Sequence, residues 1–499
     1  MLIITLFLPV VGYSAADSVS HGAYFNSPAD SSGIFLALKL SAKELKTKTG
    51  VYTLENGGKS LAARLWLIDH AVKSLDIQYY SVARNVTGVI TCEHIVRAAD
   101  RGVKVRLLVD DAASRMNAYE VRVLDKHENI EIRVYNAGLK VGRIDKRLTK
   151  LAANSNRLLR RMHNKTMVVD EQVTIAGGRN VSNEYFDFGK KYNFRDRDVM
   201  LFGKASVSAE KSFNLFWGDK LTVTVEELVG NIKGPFDIRE LFDKVKKLFN
   251  DTLAYGPSIR AHINAFPAEI ANARRDGRFL LLEAVSFVSD VPGKNEEKKE
   301  RTGGATTDTI IALIRSARHT VDIQSPYFIT NDETKKLLRE TVDRGLKVRI
   351  ITNSLGSTDN YEAFSGYQRD RKGNLATGVE LHEFRPNAAV RFDLMIPDVQ
   401  AKNQHRSVYG LHSKTMIIDE YISVIGSYNL DPRSANLNTE CIVIIRSKEA
   451  AKNLARYVEE EFLPRNSWLT TSDFNPDSEA SWKKRFKAFS RRIFPKKLL

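Results

Sequence analysis

A chain of 499 residues has room for two large or three ordinary domains, and its 43% hydrophobic and 27% charged residues exclude a wholly disordered protein. The formal net charge of +16 favours a polyanionic partner, such as nucleic acid, an anionic lipid surface or a phosphorylated substrate, without choosing among them. The sequence has two cysteines, Cys92 and Cys441, too few for a disulfide scaffold or a thiolate metal cluster.

The first element in chain order is an apolar N-terminal segment. Met1–Val11 is almost wholly apolar and leads into Ser14-Ala15-Ala16, a sequence typical of a signal-peptidase site. The segment is too short to span a bilayer, which takes about 20 residues, and the usual basic n-region is missing. It predicts export by a signal-like segment, and a buried N-terminus is the alternative.

Several short sequences recur in the same order in the two halves of the chain. This order indicates two homologous halves rather than chance similarity. The recurring pairs are Leu75-Asp76-Ile77-Gln78 with Val321-Asp322-Ile323-Gln324, residues 100–106 with 343–349, and Ile130-Glu131-Ile132 with Val379-Glu380-Leu381.

In each half, apolar residues at helical spacing are followed by short β-branched runs that alternate with helix-like stretches. This alternation predicts an α/β fold, an αβα sandwich in each half with helices on both faces of a largely buried sheet. The predicted organisation is an N-terminal signal-like segment at 1–40, a first domain at 41–240, a connecting segment and linker at 241–304, a second domain at 305–470 and a basic tail at 471–499.

The linker prediction rests on Pro292–Arg301, which is charged and rich in turn-forming residues. Such a composition is typical of a solvated linker.

Each half also contains one pattern of polar residues around two short apolar strands. The separations from His to Lys, to Asp and to Asn are two, seven and seventeen positions in both halves. The residues are His163, Lys165, Asp170 and Gly177-Gly178-Arg179-Asn180 in the first half, and His412, Lys414, Asp419 and Gly426-Ser427-Tyr428-Asn429 in the second.

This pattern predicts a phosphate site. Residues two apart on a strand point to the same face, so each His projects with its Lys toward one ligand. The small pair after the second strand lets the backbone approach a ligand closely. We expect Lys165, Lys414, Asn180 and Asn429 to bind phosphate, because their donors and positive charge suit a phosphodiester and its more highly charged transition state.

A zinc site is the competing interpretation of paired histidines. Lysine is charged at neutral pH and lies where a metal ligand would be needed, and cysteine ligands are absent. The motifs therefore predict neither a metal nor another cofactor.

Both stretches resemble the HKD signature of the phospholipase D superfamily, and the similarity extends from about Thr53 to Leu469. That superfamily includes phospholipases D, cardiolipin and phosphatidylserine synthases, and some nucleases. Local details resemble the cardiolipin synthase C type of bacteria, and they are Leu75–Tyr80, Arg97–Asp111, Arg161–Lys165, Gly177–Phe186 and Pro495–Leu499.

The resemblance implies two phospholipase D-like domains that face each other across a pseudo-twofold axis with both motifs at the interface. It also implies a two-step, metal-free reaction through a phosphohistidine. By resemblance His163 is the nucleophile and His412 the general acid and base, although the sequence is symmetric on this question.

Each imidazole needs a carboxylate to orient its second nitrogen. Asp170 and Asp419 belong to the motifs but lie across the strand from the histidines. Asp198 and Glu440 align in the repeat, and each opens an apolar strand. The resemblance favours Asp198 and Glu440 as the orienting residues and a structural role for the motif aspartates, with a catalytic role of Asp170 and Asp419 as the alternative.

Two stretches are strongly basic. Residues 143–161 hold seven cations opposed by Asp145 alone, and Trp482–Leu499 holds eight cations and no acid. In this tail Trp482, Phe486, Phe489 and Ile493 fall at helical spacing, a pattern typical of an interfacial membrane anchor. The alternative is a helix packed on the protein with a solvated charged side.

The resemblance implies phosphatidyl transfer that makes cardiolipin from phosphatidylglycerol and a second phospholipid, with phosphatidylethanolamine as a candidate. Hydrolysis to phosphatidic acid is the first alternative, and a nucleic-acid phosphodiesterase or an inactive scaffold are weaker ones. We expect peripheral association with the bacterial inner membrane and no nucleic-acid partner.

Overall fold

The computed structural model describes residues 33–111, 118–137, 160–229, 240, 251–295, 303–397 and 407–496. The predicted signal-like segment, most of the first basic stretch and the last three residues lie outside these ranges. In the part of the chain that the structure describes, every helix is too short or too polar to cross a lipid bilayer.

Two large sheets, one in each half, organise the described residues. Strands of the first sheet are β1 Thr49–Leu54, β2 Ser74–Tyr79, β3 Lys104–Asp110, β4 Ile130–Tyr135, β5 Thr166–Val169, β6 Val173–Gly177, β8 Asp198–Gly203, β9 Thr222–Thr224 and β10 Leu280–Leu282. Strands of the second are β11 Val285–Ser289, β12 Thr320–Gln324, β13 Lys347–Asn353, β14 Glu380–Phe384, β16 Thr415–Ile418, β17 Ile422–Gly426, β18 Cys441–Arg446 and β19 Ser467–Thr470.

The sheets have the same topology. The first runs β10-β1-β8-β6-β5-β2-β3-β4-β9, and the second runs β11-β18-β17-β16-β12-β13-β14-β19, so the second repeats the first without the edge strand β10. In both, three parallel strands adjoin an antiparallel group that carries the motif. The predicted duplication and α/β fold class are confirmed.

Helices cover both faces of each sheet. Several begin at an asparagine whose side chain accepts a hydrogen bond from the first turn, as Asn56 does from Lys59 N at 2.9 Å. The described helices are α1 Gly33–Ala37, α2 Ala42–Leu45, α3 Gly57–His70, α4 Val86–Asp100, α5 Ala118–Asp125, α6 Ser206–Trp217, α7 Val225–Val229, α8 Asp251–Arg275, α9 Ala305–Ser316, α10 Asp332–Asp343, α11 Tyr361–Leu375, α12 Arg391–Leu394, α13 Pro432–Asn436, α14 Lys448–Phe462 and α15 Trp482–Ser490.

The two halves pack against each other through a shared apolar core. Ala176 and Val199 of the first sheet belong to one buried cluster with Ile425 and Val443 of the second. The halves are also joined by a two-stranded parallel sheet made of β7 Tyr192–Arg195 and β15 Val408–Leu411. This packing brings the two motifs to one interface.

The segment between the halves is structured where it is described. Helix α8 packs on α3, β10 joins the first sheet and β11 joins the second. Lys294 is buried and its ammonium group binds Asp290 Oδ2 at 2.8 Å and the Ser434 carbonyl at 2.7 Å. The prediction of a solvated linker from Pro292 onward is therefore wrong at Lys294, because a buried carboxylate neutralises its charge.

Candidate active site

The first motif histidine meets a carboxylate from the other half. Met162 and Thr439 form a parallel bridge between the halves, so the next residues along the two chains, His163 and Glu440, are adjacent. His163 Nδ1 lies 2.9 and 3.0 Å from the two carboxylate oxygens of Glu440. The ring of Tyr80 meets the imidazole edge-on at 5.1 Å.

The second motif histidine is placed in the same way. Arg195 pairs with Leu411 at the end of the parallel β7–β15 sheet, which makes Asp196 and His412 neighbours. His412 Nδ1 lies 2.6 Å from Asp196 Oδ2, and its Nε2 lies 3.5 Å from the hydroxyl of Tyr185.

Each imidazole thus takes its orienting carboxylate from the opposite half. Burial alone would raise the pKa of Asp196, but His412 and Lys414 lower it to about 2. Burial would also raise the pKa of Glu440, and His163 and Lys165 lower it. Ionised carboxylates accept from Nδ1–H, which leaves Nε2 of each ring available for chemistry.

The expected role of Asp198 is wrong. Its carboxylate accepts hydrogen bonds from Ser60 at 2.8 Å, Arg64 at 2.9 Å and Arg179 at 3.1 Å, all within the first half. These contacts use the carboxylate to hold two buried guanidinium groups, so Asp196 takes the role expected of Asp198.

Sheet register explains this error. Gly177 and Gly426 hold the same position in the two motifs, and they pair with Asp198 and Ile442 respectively. Asp198 therefore corresponds to Ile442, and Glu440 corresponds to the residue two positions earlier, Asp196. Asp196 was missed from the sequence, where its alternation with Asp198 between arginines is the signal that could have marked it.

The second residue of each small pair, Gly178 or Ser427, lies beside one of these carboxylates, and the expected close approach of a ligand to the backbone stays a prediction. A Cβ atom on Gly178 would lie 2.2 Å from Asp196 Oδ1. At the same position in the second half, the Ser427 hydroxyl donates to Glu440 Oε2 at 2.5 Å. Thus a glycine, Gly178, lies beside the carboxylate of Asp196, and a serine, Ser427, lies beside that of the longer Glu440.

Both motif lysines lie beside the imidazoles. Lys165 Nζ donates to the His163 carbonyl at 2.6 Å. Lys414 Nζ donates to the His412 carbonyl at 2.5 Å and lies 2.8 Å from Nδ1 and 3.2 Å from Nε2 of that ring. Burial lowers the pKa of Lys165 to about 7 against the opposing effect of Glu440, and that of Lys414 to about 8 against Asp196. The site thus holds positive charge that a bound phosphate would stabilise.

The buried site disfavours the charged form of both histidines. Burial lowers the pKa of His163 to about 4, although Glu440 opposes this effect. Burial and the Lys414 charge lower the pKa of His412 to about 3, against the effect of Asp196. A bound phosphodiester adds a negative charge that favours the imidazolium form, so substrate binding should be accompanied by proton uptake.

The affinity of the site for sulfate, which keeps its charge over this range, is expected to fall more steeply above about pH 7, where the loss of the Lys165 proton adds to the proton uptake of the imidazoles. Linkage to this one proton adds a loss of about tenfold per pH unit. In Lys165→Arg the charge persists, so the steeper decline should begin at about pH 8, where Lys414 titrates. Titration calorimetry from pH 6 to 9 measures this dependence.

The matched control is Lys336→Arg at an exposed lysine on α10, which should keep the wild-type profile. A Lys165→Arg profile identical to that of the wild type would contradict the assignment of this charge to Lys165.

The two asparagines differ in their contacts. Asn180 accepts from Ser81 N at 3.2 Å and donates to the Tyr185 hydroxyl at 3.1 Å. Asn429 is buried, and its Oδ1 has no hydrogen-bond partner in the described part of the structure. The phosphate-binding role of both asparagines stays a prediction.

The catalytic alternative for the motif aspartates is wrong. Asp170 accepts from Val72 N, Lys73 N and Ser74 N at 2.7–3.2 Å, and Asp419 accepts from Arg318 N, His319 N and Thr320 N at 2.7–3.0 Å. Both lie at the end of a motif strand remote from its histidine, with φ of 51° and 53°. Asp170 thus holds the turn between β5 and β6 at the start of β2, and Asp419 holds the turn between β16 and β17 at the start of β12.

The described residues contain no group of three or more His, Cys, Asp or Glu side chains that could hold a metal ion. The buried ammonium groups of Lys165 and Lys414 can supply positive charge to a phosphate bound between the motifs.

Comparison with known proteins agrees with this geometry. The chain matches the family described as Cardiolipin synthase, PLD-like domain twice, at residues 65–217 and 310–462. It is 32% identical to cardiolipin synthase C of Escherichia coli (strain K12) over 421 residues, which cover 83% of this chain and 84% of that protein. It is 25% identical to cardiolipin synthase 1 of Bacillus anthracis over 451 residues, 90% of this chain and 72% of that one.

Among solved structures, the chain resembles a phosphatidylserine synthase from Haemophilus influenzae Rd KW20, with a TM-score of 0.57 and 12% identity over 91% of this chain and 98% of the other. This likeness concerns the fold. The resemblance that the motifs predicted is confirmed by the family match, which covers both halves. The chain is a phospholipid-modifying enzyme and belongs to the cardiolipin synthase family with phospholipase D-like domains.

Proposed function

We propose that the protein is a phosphatidyltransferase that makes cardiolipin from phosphatidylglycerol and a second phospholipid, through a phosphohistidine intermediate. One observation carries the proposal. Two imidazoles, one from each motif, are each oriented by a carboxylate of the opposite half beside two buried lysines. Family membership and the named relatives support phospholipids as substrates.

In the first step, His163 Nε2 attacks the phosphorus of the donor lipid. The bond from phosphorus to the leaving alcohol oxygen breaks, and protonated His412 donates its Nε2 proton to that oxygen. Lys165 and Lys414 stabilise the additional negative charge of the transition state. His163 suits the attacking role because its side chain is 12% exposed, whereas that of His412 is 6% exposed.

In the second step, His412 Nε2 takes the proton from the acceptor hydroxyl, whose oxygen then attacks the phosphorus. The bond between phosphorus and His163 breaks, and both rings return to their starting forms. A phosphatidylglycerol acceptor gives cardiolipin, and the first step has released glycerol or ethanolamine according to the donor. Water as the acceptor would give phosphatidic acid instead.

Surroundings of His412 favour an alcohol as the acceptor. The rings of Tyr185 and Phe194 pack against its imidazole at 5.0 and 4.7 Å, and all three side chains are buried. An aromatic wall beside the base limits the room for unbound water. We therefore infer that transfer outweighs hydrolysis.

Product analysis tests the proposal. Purified protein is incubated with phosphatidylglycerol vesicles, with and without phosphatidylethanolamine, and the lipids are identified by mass spectrometry. We expect cardiolipin, with ethanolamine released in addition to glycerol if phosphatidylethanolamine is a donor. Phosphatidic acid alone would make the protein a hydrolase, and cleavage of DNA or RNA in a parallel digestion with intact lipids would make it a nucleic-acid phosphodiesterase.

We also propose peripheral association with the bacterial inner membrane, where both lipids are found. The family match and the basic tail support this location.

A further inference from the structure

Helix α15 presents an uncovered aromatic face. Trp482, Phe486, Phe489 and Ile493 are 66%, 67%, 64% and 84% exposed, whereas Ala488 on the other side of the helix is fully buried. These exposures exclude a helix that packs its aromatic face on the protein. Leaving apolar side chains of this size in water costs free energy, so we expect a binding partner to cover this face.

The helix is held in place by polar contacts that leave this face free. Arg491 pairs with Glu362 at 2.9 Å, and Lys487 lies 4.2 Å from the centre of the Tyr361 ring. Arg369 donates to the carbonyl groups of Arg492 and Phe494 at 3.0 and 2.9 Å. Helix α15 and the residues after it are thus fixed to α11 independently of the aromatic face.

A second set of contacts connects α15 with the active site through residues 354–360, here called the rim loop. Lys484 Nζ donates to the Gly356 carbonyl at 2.6 Å. Within the loop, Ser357 Oγ donates to Asn353 Oδ1 at 2.9 Å. Asn353 in turn binds both the N–H and the carbonyl of Leu411, at 2.8 and 2.7 Å, next to His412.

The rim loop also contacts the first half beside the catalytic histidine. The Tyr192 hydroxyl donates to the Ser357 carbonyl, and the Tyr192 ring packs on Phe194, which contacts His412. The position of α15 relative to His412 is therefore set by a continuous series of hydrogen bonds and ring contacts.

We propose that the aromatic face of α15 inserts into the surface of an anionic phospholipid bilayer, and that its attachment to the rim loop holds the active site against the lipids that it consumes. Charge identifies the occupant, because Trp482–Leu499 contains eight Lys or Arg residues and no acid, and of these Arg491 and Lys496 pair with carboxylates of α11. Aromatic and basic side chains on one short helix suit the boundary between acyl chains and anionic headgroups. The second part of this inference rests on the proposed function.

The test compares binding and activity in a Phe486→Ser/Phe489→Ser variant. Both side chains are exposed, so the fold should be unaffected. We expect sedimentation with vesicles of phosphatidylglycerol and phosphatidylcholine to show binding weakened at least about tenfold. Cardiolipin formation in these vesicles should fall in proportion, while turnover of a short-chain phosphatidylglycerol below its micelle concentration should stay at the wild-type rate.

Phe392→Ser on α12 is the matched control, because this phenylalanine is 56% exposed elsewhere on the surface. It should behave as the wild type in every assay. Unchanged vesicle binding by the double variant would overturn the proposal. So would a wild-type dimer in analytical ultracentrifugation that the double variant converts to monomers, because a second copy would then cover the face.

The two assays also separate this inference from the proposed function. Vesicle binding that depends on Phe486 and Phe489, in a protein that makes no cardiolipin from either substrate form, would leave the docking surface standing and remove the transferase. Cardiolipin synthesis with vesicle binding independent of these residues would support the transferase and contradict the docking surface.

Discussion

His163→Ala and His412→Ala are each expected to lower cardiolipin formation by at least about 10⁴-fold, because either variant lacks one of two groups that act as a unit. An activated phosphodiester with a nitrophenolate leaving group should distinguish the two roles. Such a group departs without a proton, so His412→Ala should still form the phosphohistidine and His163→Ala should not. The measurement is radiolabel that stays on the protein in alkali and is released by acid.

Circular dichroism and thermal unfolding of both variants provide the control, because the buried His412 ring packs on Tyr185 and Phe194 and its loss could also lower stability. Label retained by His163→Ala and absent from His412→Ala would reverse the assignment of nucleophile and acid. Label on both would show that either imidazole can attack.

Asp196→Asn is expected to lower the turnover number by about 10³–10⁴-fold with little change in stability, because an amide cannot hold His412 in the tautomer that leaves Nε2 available. Asp198→Asn should behave in the opposite way. It leaves the buried guanidinium groups of Arg64 and Arg179 without their carboxylate, which costs about 3–5 kcal/mol of the free energy of unfolding.

Urea denaturation and steady-state kinetics of the two purified variants check both expectations. These variants differ by two positions and carry the same chemical change, so each is the control for the other. A larger catalytic loss in folded Asp198→Asn than in Asp196→Asn would contradict the assignment drawn from the strand register.

The residues of the candidate active site were predictable because they repeat. His163, Lys165 and their counterparts keep one spacing in both halves, and a spacing conserved within one chain needs no structure to be recognised. The duplicated α/β fold followed from the same repeat. The aromatic side of α15 followed from helical periodicity, since Trp482 and Phe486 are one turn apart.

The orienting carboxylates required three-dimensional information. Asp196 contacts His412 because β7 and β15 pair in parallel across the halves. The register between strands so far apart in the chain cannot be deduced from the spacing of nearby residues. Aligning by apolar strands selected Asp198 because the intervening loops differ in length. Attachment of α15 to the rim loop likewise depends on contacts such as Lys484 with Gly356, which are 128 residues apart.

Exchange of carboxylates between the halves has a consequence for how the two imidazoles can differ. In a dimer of two identical chains, each imidazole would also pair with a carboxylate of the other chain. Both rings would then have the same acidic neighbour and therefore the same tendency to hold a proton. Covalent fusion removes that symmetry, and here one ring faces a glutamate with a serine, the other an aspartate with a glycine. A single polypeptide can thus tune attack and proton delivery separately.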